Sequence, residues 1–379
     1  MAIVGVSGDK PWTAGRWQRA QAADLSEWRS STRSLTEPHL STLCQAISAT
    51  AVSRASSAVG LGAQLPEVLG RCDELEFESE DQVVAYMILH LADRYGRVTQ
   101  VLEKLFTLGH LPIRRRGLSV LEVGAGPAPG LYAAHDFYDD LKLWTQTTEQ
   151  QIEFAPVTQP HALDRGPAWS RLLHDLSELI QVERAGIPHP TGTFPYGVKY
   201  PELTGFSPRQ KHLHALRHRS EVMVDEDDIS PGFARQLAQE EGVGVPSAYD
   251  LVIMCNFLTN KTAAERFREE IRSLSNSLTP GGLLIALGSS SGQYSRIWED
   301  VLRLMRGTGL ASIKGFEDPI AANAKPERAT LIRQQVHRDL DAIRLGGGSL
   351  PSRLSNLDSD YRFSNFKALV WKNQRPPKR

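Results

Sequence analysis

The residues most suited to chemistry are an acid and two glycines, Glu122, Gly124 and Gly126, in the stretch LEVGAGPAPG. Glycine has no Cβ, so the run Gly124-Ala125-Gly126 can turn tightly and bring its backbone close to a ligand. The apolar residues before the loop predict a strand, and the residues after it predict a helix. In an open α/β sheet such a loop lies beyond the carboxyl end of a strand, where ligands bind. We therefore expect a ligand site at this loop.

The acid indicates which ligand the loop suits. A carboxylate two residues before the first glycine would repel a pyrophosphate and attract an ammonium group, directly or through water. Dinucleotide-binding loops have a third glycine, and Ala128 stands at that position. No Lys-Ser or Lys-Thr pair follows, which excludes the phosphate-binding loop of nucleotide triphosphatases. The pattern favours a positively charged ligand without phosphate, and a nicotinamide (NAD or NADP) oxidoreductase is the alternative.

LEVGAGPAPG resembles the first motif of the class I S-adenosylmethionine-dependent methyltransferases, which commonly reads Asp/Glu-x-Gly-x-Gly. YDLVIMCNFLTN resembles the family's fourth motif, and LTPGGLLIAL resembles the turn and strand that follow it. The resemblance covers roughly residues 117–376. It implies an α/β fold with a doubly wound, mainly parallel seven-stranded sheet and helices on both faces. It also implies S-adenosylmethionine as the cofactor and methyl transfer to a small-molecule or RNA acceptor.

The resemblance implies most of the cofactor site. Glu122, Gly124, Ala125 and Gly126 would bind the donor from the first motif. Asn256 and Phe257 would face the sulfonium from the end of the fourth-motif strand. The sequence Asn-Phe-Leu-Thr departs there from the Asn/Asp-Pro-Pro-aromatic pattern of the amino-methylating branch, which argues against methylation of DNA amino groups.

Cys255 precedes Asn256 and is the only cysteine near the motifs. It would be the nucleophile if the reaction were methylation of cytosine at carbon 5, but a lone cysteine in an apolar strand is more typical of a small core residue. His135 and Asp136 follow the glycine loop, yet no spacing marks them as a general base. No catalytic residue is therefore predicted.

In the family an acid at the end of the second strand binds the ribose hydroxyls. Asp164 in HALDRGPAWSRLL is the match, about 40 residues after Gly124, where about 20 is usual in the related dinucleotide fold. Either residues 138–158 are an insertion, or the acid is Glu149 or Glu153. An Asp at this position is also typical of a helix N-cap.

The roughly 80 residues after Asp164 exceed what one strand and helix require, and we place an insertion at about 186–232. By resemblance the acid near the adenine amine falls here, at Asp227 or Asp228, although a run of acids is also typical of a solvated loop. The basic stretch Arg209–Arg219 is a solvated helix, a phosphate-contacting patch for nucleic acid or a metal site. No cysteine or closely spaced acid joins its histidines, so no metal is predicted.

The elements that position the motifs begin upstream of them. Residues 1–116 predict a helical N-terminal region, an arm followed by a long helix. Ser79 and Gln82 fit a capping box at the start of that helix, which apolar spacing extends to near Gly109. By the resemblance, we expect residues 117–376 to form the methyltransferase domain. A non-catalytic S-adenosylmethionine-binding scaffold that docks through the N-terminal region is a second possible function.

The composition, with 41% hydrophobic and 23% charged residues, is typical of a soluble globular protein. The net charge of −1 gives no bulk attraction to nucleic acid or to an anionic membrane. No run approaches the roughly 20 apolar residues of a membrane helix, and no secretory signal is recognisable. Cys44, Cys72 and Cys255 form no CxxC pair, so we expect no zinc site, no disulfides and a cytoplasmic location. The sequence does not give the oligomeric state.

Overall fold

The computed structural model describes residues 11–31, 33–71, 75–115, 117–150, 152–164, 167–184, 248–259, 261–290, 294–321 and 365–375. Six strands are present in these ranges: β1 (Leu118–Val123), β2 (Val157–Leu163), β3 (Tyr249–Cys255), β4 (Leu278–Ser289), β5 (Ala311–Ser312) and β6 (Phe366–Lys372). The helices are α1 (Pro11–Ser31), α2 (Arg33–Arg54), α3 (Ala58–Arg71), α4 (Glu80–Thr107), α5 (Pro129–Thr147), α6 (Pro167–Arg184), α7 (Lys261–Arg266), α8 (Arg268–Asn276) and α9 (Tyr294–Met305).

The strands form one mixed sheet in the order β2-β1-β3-β4-β6-β5. The first four strands are parallel, whereas β6 runs antiparallel to β4 and to β5. Strand β1 lies between β2 and β3, so the chain leaves β1 toward one side and later returns on the other. This is the switch point at which α/β sheets bind ligands. We call the side on which β1 to β4 end the carboxyl edge and the opposite side the amino edge.

The sheet is buried on both faces, which explains the nearly continuous apolar runs of its strands. In β1, Leu118 and Val120 face one hydrophobic core, and Leu121 and Val123 face the other. Helices α1 to α6 contribute to the first core, and α7 to α9 contribute to the second. Helices therefore cover both faces, and the N-terminal helices share a core with the sheet.

Helix α4 is the long helix that the sequence predicted before the glycine loop. The backbone N–H of Gln82 donates to Ser79 Oγ at 3.2 Å, which confirms the predicted N-cap. The apolar stripe of α4 is buried against its neighbours, as the three-and-four spacing indicated.

Two expectations about the chain's spacing need correction. The long interval before Asp164 contains no separate insertion after residue 138, because α5 alone occupies 19 residues and ends at Thr147. Strand β4 begins at Leu278, and its pairing with β3 shifts register between Leu278 and Leu283, so the LTPGG segment, expected to be a turn, is an irregular start of the strand. The seventh strand stays a prediction. The insertion at 186–232, with Asp227 and the Arg209–Arg219 stretch, lies outside the described residues.

A buried ion pair joins the strands at the amino edge. Asp250 is fully buried and accepts hydrogen bonds from Arg114 Nε at 2.9 Å, the Ser119 N–H at 3.1 Å and Thr279 Oγ1 at 2.6 Å. The Arg114 guanidinium also donates to the carbonyl of Pro280 at 2.6 Å. The connection from α4 into β1 is thereby fixed to the starts of β3 and β4.

Within the residues that the structure describes, no helix is both long enough and apolar enough to cross a membrane. Across those same residues, no group of three His, Cys, Asp or Glu side chains is arranged to hold a metal ion. Cys44 and Cys255 are buried and form no disulfide within the described residues.

Candidate functional site

Glu122 lies at the end of β1, but its carboxylate turns inward and is fully buried. Oε1 accepts the N–H of Gly130 and Oε2 accepts the N–H of Leu131, both at 3.0 Å. These N–H groups belong to the first turn of α5, so the acid satisfies the start of that helix. A Cβ at Gly130 would lie 2.9 Å from Oε1 and 3.0 Å from Ile253 Cγ2, which explains why a glycine stands there. The predicted contact of Glu122 with a cationic ligand stays a prediction.

Burial raises the pKa of Glu122 to about 8, although its two backbone hydrogen bonds and the charge of Arg94 act in the opposite direction. Without a ligand's positive charge nearby, a pKa of about 8 leaves this side chain mostly protonated at pH 7. A positive charge placed at the loop would favour the ionised form.

Asp164 directly follows β2, the position predicted for it, and contacts the glycine loop, while its binding of ribose stays a prediction. Its Oδ2 accepts the N–H of Gly126 at 2.7 Å. The N–H groups of Gly124 and Ala125 donate to the carbonyl of Leu163 at 2.8 and 3.1 Å. The end of β2 therefore holds all three loop residues through their backbone.

The two competing acids lie at the opposite end of the molecule. Glu149 is exposed just beyond the far end of α5, the helix that starts at the glycine loop. Glu153 is exposed and pairs with Arg115 at 3.0 Å, directly before β1. Of the three acids considered for the ribose, only Asp164 lies at the carboxyl edge.

Aromatic rings lie over both glycines of the loop. A Cβ at Gly124 would lie 2.4 Å from Cδ2 of Phe257, so this ring packs directly on the glycine. A Cβ at Gly126 would lie 3.5 Å from Tyr86 Cε1 and 3.6 Å from Trp169 Cη2. Gly124 and Gly126 also have φ angles of +63° and +51°, which glycine adopts without strain. Aromatic faces attract cations, so these walls suit a positively charged ligand.

The residue after β3 has an unusual backbone and an unpaired side chain. Asn256 has φ of +52°, and its N–H donates to the carbonyl of Leu287 at 2.9 Å. Its Oδ1 is buried and has no hydrogen-bond partner in the described part of the chain. A buried polar atom without a partner is costly, and at an edge where ligands bind it indicates a place for a ligand's hydrogen-bond donor.

A polar stripe on α4, which the sequence analysis missed, runs beside this edge. Tyr86, His90, Arg94 and Arg97 follow each other at spacings of four, four and three, so they share one face of the helix. The Tyr86 and His90 rings are 4.8 Å apart, and Arg94 Cζ lies 4.5 Å from the Tyr86 ring centroid. The period was visible in the sequence, but nothing there showed that this face meets the glycine loop.

The other residues considered for chemistry are buried. Burial raises the pKa of Cys255 to about 12, so its thiol stays protonated and is not an activated nucleophile. Asp136 accepts a hydrogen bond from the Tyr95 hydroxyl at 2.8 Å, between α4 and α5. His135 is buried beside Asp139, with Nδ1 3.3 Å from its carboxylate. The first contact connects α4 and α5, the second lies within α5, and neither identifies a general base.

No protein-family model matches the chain, and no curated protein matches it. The solved structures to which it is similar include S-adenosylmethionine-dependent methyltransferases, the class that the first motif resembles. One is a phosphoethanolamine N-methyltransferase from Haemonchus contortus with phosphomonomethylethanolamine and S-adenosylhomocysteine (13% identity, 74% of this chain, 53% of that chain, TM-score 0.34). The chain thus spans about half the length of that protein.

Two further matches cover nearly the whole of the other chain. A methyltransferase from Thiobacillus denitrificans, solved with S-adenosylhomocysteine, is 14% identical over 73% of this chain and 96% of that chain, with a TM-score of 0.32. Coclaurine N-methyltransferase, bound to N-methylheliamine and S-adenosylhomocysteine, is 9% identical over 91% and 100%, with a TM-score of 0.33. Likenesses of this size assign no ligand or reaction to this chain, so function is argued from its own residues.

Proposed function

We propose that this protein is an S-adenosylmethionine-dependent methyltransferase with a small-molecule or RNA acceptor. The observation that carries the proposal is the pair of hydrogen bonds from Gly130 and Leu131 to Glu122. In dinucleotide-binding folds the N–H groups at this helix start hold a pyrophosphate. Here a carboxylate already occupies them, which argues against a nicotinamide dinucleotide and favours a ligand without phosphate.

The other residues of the carboxyl edge fit the same donor. The rings of Phe257 and Trp169 lie beside the glycine loop, and aromatic rings attract cations such as a sulfonium. Asp164 follows β2, where its carboxylate would accept hydrogen bonds from ribose hydroxyls. Asn256 Oδ1 would accept one from an ammonium or hydroxyl group. Asp227 remains the proposed partner of the adenine amine. We also propose that the complete fold is a doubly wound seven-stranded sheet. The proposed location of the protein is the cytoplasm.

When bound, S-adenosylmethionine supplies an activated methyl group: the acceptor's lone pair bonds to the methyl carbon while the sulfur–carbon bond breaks and its electron pair remains on sulfur. The protein has to align the acceptor and to accommodate the loss of the positive charge. Glu122 suits the second task, because it can take up a proton as the positive charge near it disappears.

Isothermal titration calorimetry on the full chain tests donor binding. We expect S-adenosylmethionine and S-adenosylhomocysteine to bind, NAD and NADP not to bind, and Asp164→Ala to weaken binding at least about tenfold. Glu153→Gln is the matched control, since Glu153 is an acid that faces solvent at the amino edge. Binding of NAD without binding of S-adenosylmethionine would instead support the oxidoreductase.

Transfer of a labelled methyl group into a fractionated cell extract tests catalysis. Label in a small-molecule or RNA fraction is expected. Donor binding without transfer to any fraction would support the non-catalytic scaffold.

A proton-release measurement tests the role given to Glu122. At pH 7, repeating the titration in buffers of different ionisation enthalpy should show that binding of S-adenosylmethionine releases protons, because the cation lowers the raised pKa of Glu122. S-adenosylhomocysteine lacks the sulfonium and should release fewer. Equal release by both ligands, or undiminished release in Glu122→Gln, would contradict the proposal.

A further inference from the structure

His90 is a polar residue at the carboxyl edge to which the donor argument gives no role. Its Nε2 is shielded from solvent and has no hydrogen-bond partner in the described part of the chain. Burial, reinforced by the charge of Arg97, lowers the pKa of His90 to about 4. The ring is therefore neutral at physiological pH, with one N–H to donate and one lone pair to accept.

The neighbours of His90 on α4 fix where it faces. One turn earlier, the Tyr86 ring lies next to Gly126, just after the end of β1, where it would contact any Cβ added to that glycine. One turn later, the charge of Arg94 acts on both Glu122 and Cys255, the acid near the end of β1 and the last residue of β3. His90 lies between these two neighbours on the same helix face, beside the ends of β1 and β3.

The next residue of the stripe, Arg97, lies near the end of β4. Arg97 Cζ lies 5.6 Å from the ring of Phe366, which pairs with Ser289 at the end of β4. Residues 86–97 of α4 therefore run past the carboxyl ends of β1, β3 and β4. Phe257 and the glycine loop lie at the Tyr86 end of this stretch of α4, where the donor is proposed to bind, and we assign the adjoining stretch to the acceptor.

We propose that His90 is a positioning residue for the methyl acceptor, binding its hydroxyl or amine through Nε2; this inference rests on the proposed methyltransferase function. A neutral imidazole can accept the N–H or O–H hydrogen of such a group and so orient its lone pair toward the donor. Leaving Nε2 buried without a partner lowers the free energy of unfolding. A hydrogen bond to the bound acceptor would remove that loss.

This role predicts opposite effects on stability and on transfer, which a purely structural histidine would not show. His90→Phe keeps a planar ring against Tyr86 and removes the buried unpaired atom. Its thermal midpoint should equal or exceed that of the unmodified protein. His90→Gln keeps a hydrogen-bonding group. His110→Gln is the control, because His110 lies just after α4 beside Lys372, toward the amino edge.

The experiment uses the full chain, S-adenosylmethionine with a tritiated methyl group, and a cell extract that contains both small molecules and RNA as the acceptor source. We expect His90→Phe to lose at least about tenfold in transfer rate while its affinity for S-adenosylhomocysteine stays within about threefold. His90→Gln should recover part of the rate, and His110→Gln should match the unmodified protein.

Several outcomes would overturn the inference. Unchanged transfer by His90→Phe would do so, as would a fall in S-adenosylhomocysteine affinity that accounts for the whole loss of rate. A protein that binds S-adenosylhomocysteine but transfers no label to the extract would also contradict it, since His90 would then have no such acceptor to position. Failure of the unmodified protein to bind S-adenosylhomocysteine would refute the proposed function itself, a result that calorimetry separates from the others.

Discussion

The two edges of the sheet differ in how completely their buried polar groups are paired. At the amino edge both oxygens of Asp250 accept hydrogen bonds, and Arg114 is paired. At the carboxyl edge His90 Nε2 and Asn256 Oδ1 are buried without partners. The difference indicates that the amino edge stabilises the fold, whereas the carboxyl edge keeps hydrogen-bonding capacity for ligands at the expense of stability.

The largest effect should come from breaking the amino edge. Asp250→Ala leaves Arg114 buried without its carboxylate and should lower the free energy of unfolding by about 3–5 kcal/mol. Glu153→Gln removes the exposed pair with Arg115 and should cost no more than about 1 kcal/mol. Urea unfolding of both variants measures this contrast. Equal losses would show that the buried pair has no special weight.

A pH series should measure how far the buried Glu122, at the carboxyl edge, lowers the stability of the protein once it is ionised. Its folded pKa of about 8 lies above the ordinary value of 4.5, so the folded state binds more protons between these pH values. The stability of the unmodified protein relative to Glu122→Gln should therefore be highest below pH 4.5, fall as pH rises toward 8 and then level off. At roughly 1.4 kcal/mol per pKa unit the fall amounts to a few kcal/mol. Urea unfolding at several pH values checks it, and a parallel pair of curves would contradict it.

Asn256→Gly should separate function from stability. Glycine adopts the φ of +52° without strain, so the free energy of unfolding should stay within about 1 kcal/mol of the unmodified value or rise. The missing Oδ1 should reduce methyl transfer by about tenfold. Urea unfolding and the tritium assay are the two measurements. A variant with full activity would remove Asn256 from the site.

The smallest effect concerns Ala128, which has φ of +58° at the start of α5. Ala128→Gly should raise the free energy of unfolding by about 1 kcal/mol, because an alanine is strained in the left-handed region. Ala125→Gly, in the same loop at a residue without positive φ, should instead lower it by roughly 0.5–1 kcal/mol. A stabilised Ala125→Gly would show that loop flexibility, and not backbone strain, governs both changes.

The sequence predicted those parts of the fold and site that depend on local patterns. The strand before Gly124, the loop itself and the helix cap at Ser79 were all readable from residue types and spacing. Asp164 was identified by resemblance, but its competitors Glu149 and Glu153 could be set aside only once the length of α5 was known.

What the sequence could not show depends on contacts between distant segments. Glu122 was expected to face a ligand, yet its burial follows from the packing of α5 against β1 and β3. Tyr86 and His90 looked like ordinary positions of an amphipathic helix. Only the placement of α4 beside the strand ends gives them a possible function.

The connection between α4 and β1 also sets the alignment of the site. Gln18 of α1 holds the backbone of Leu111 through two hydrogen bonds, at 2.7 and 3.1 Å, and Arg114 is fixed three residues later. One residue added within α4 between His90 and the end of the helix would turn the part before it by roughly 100° and shift it by about 1.5 Å relative to these anchors. Tyr86 and His90 would then rotate away from the glycine loop. The number of residues between His90 and these anchors therefore sets which face of α4 the glycine loop meets.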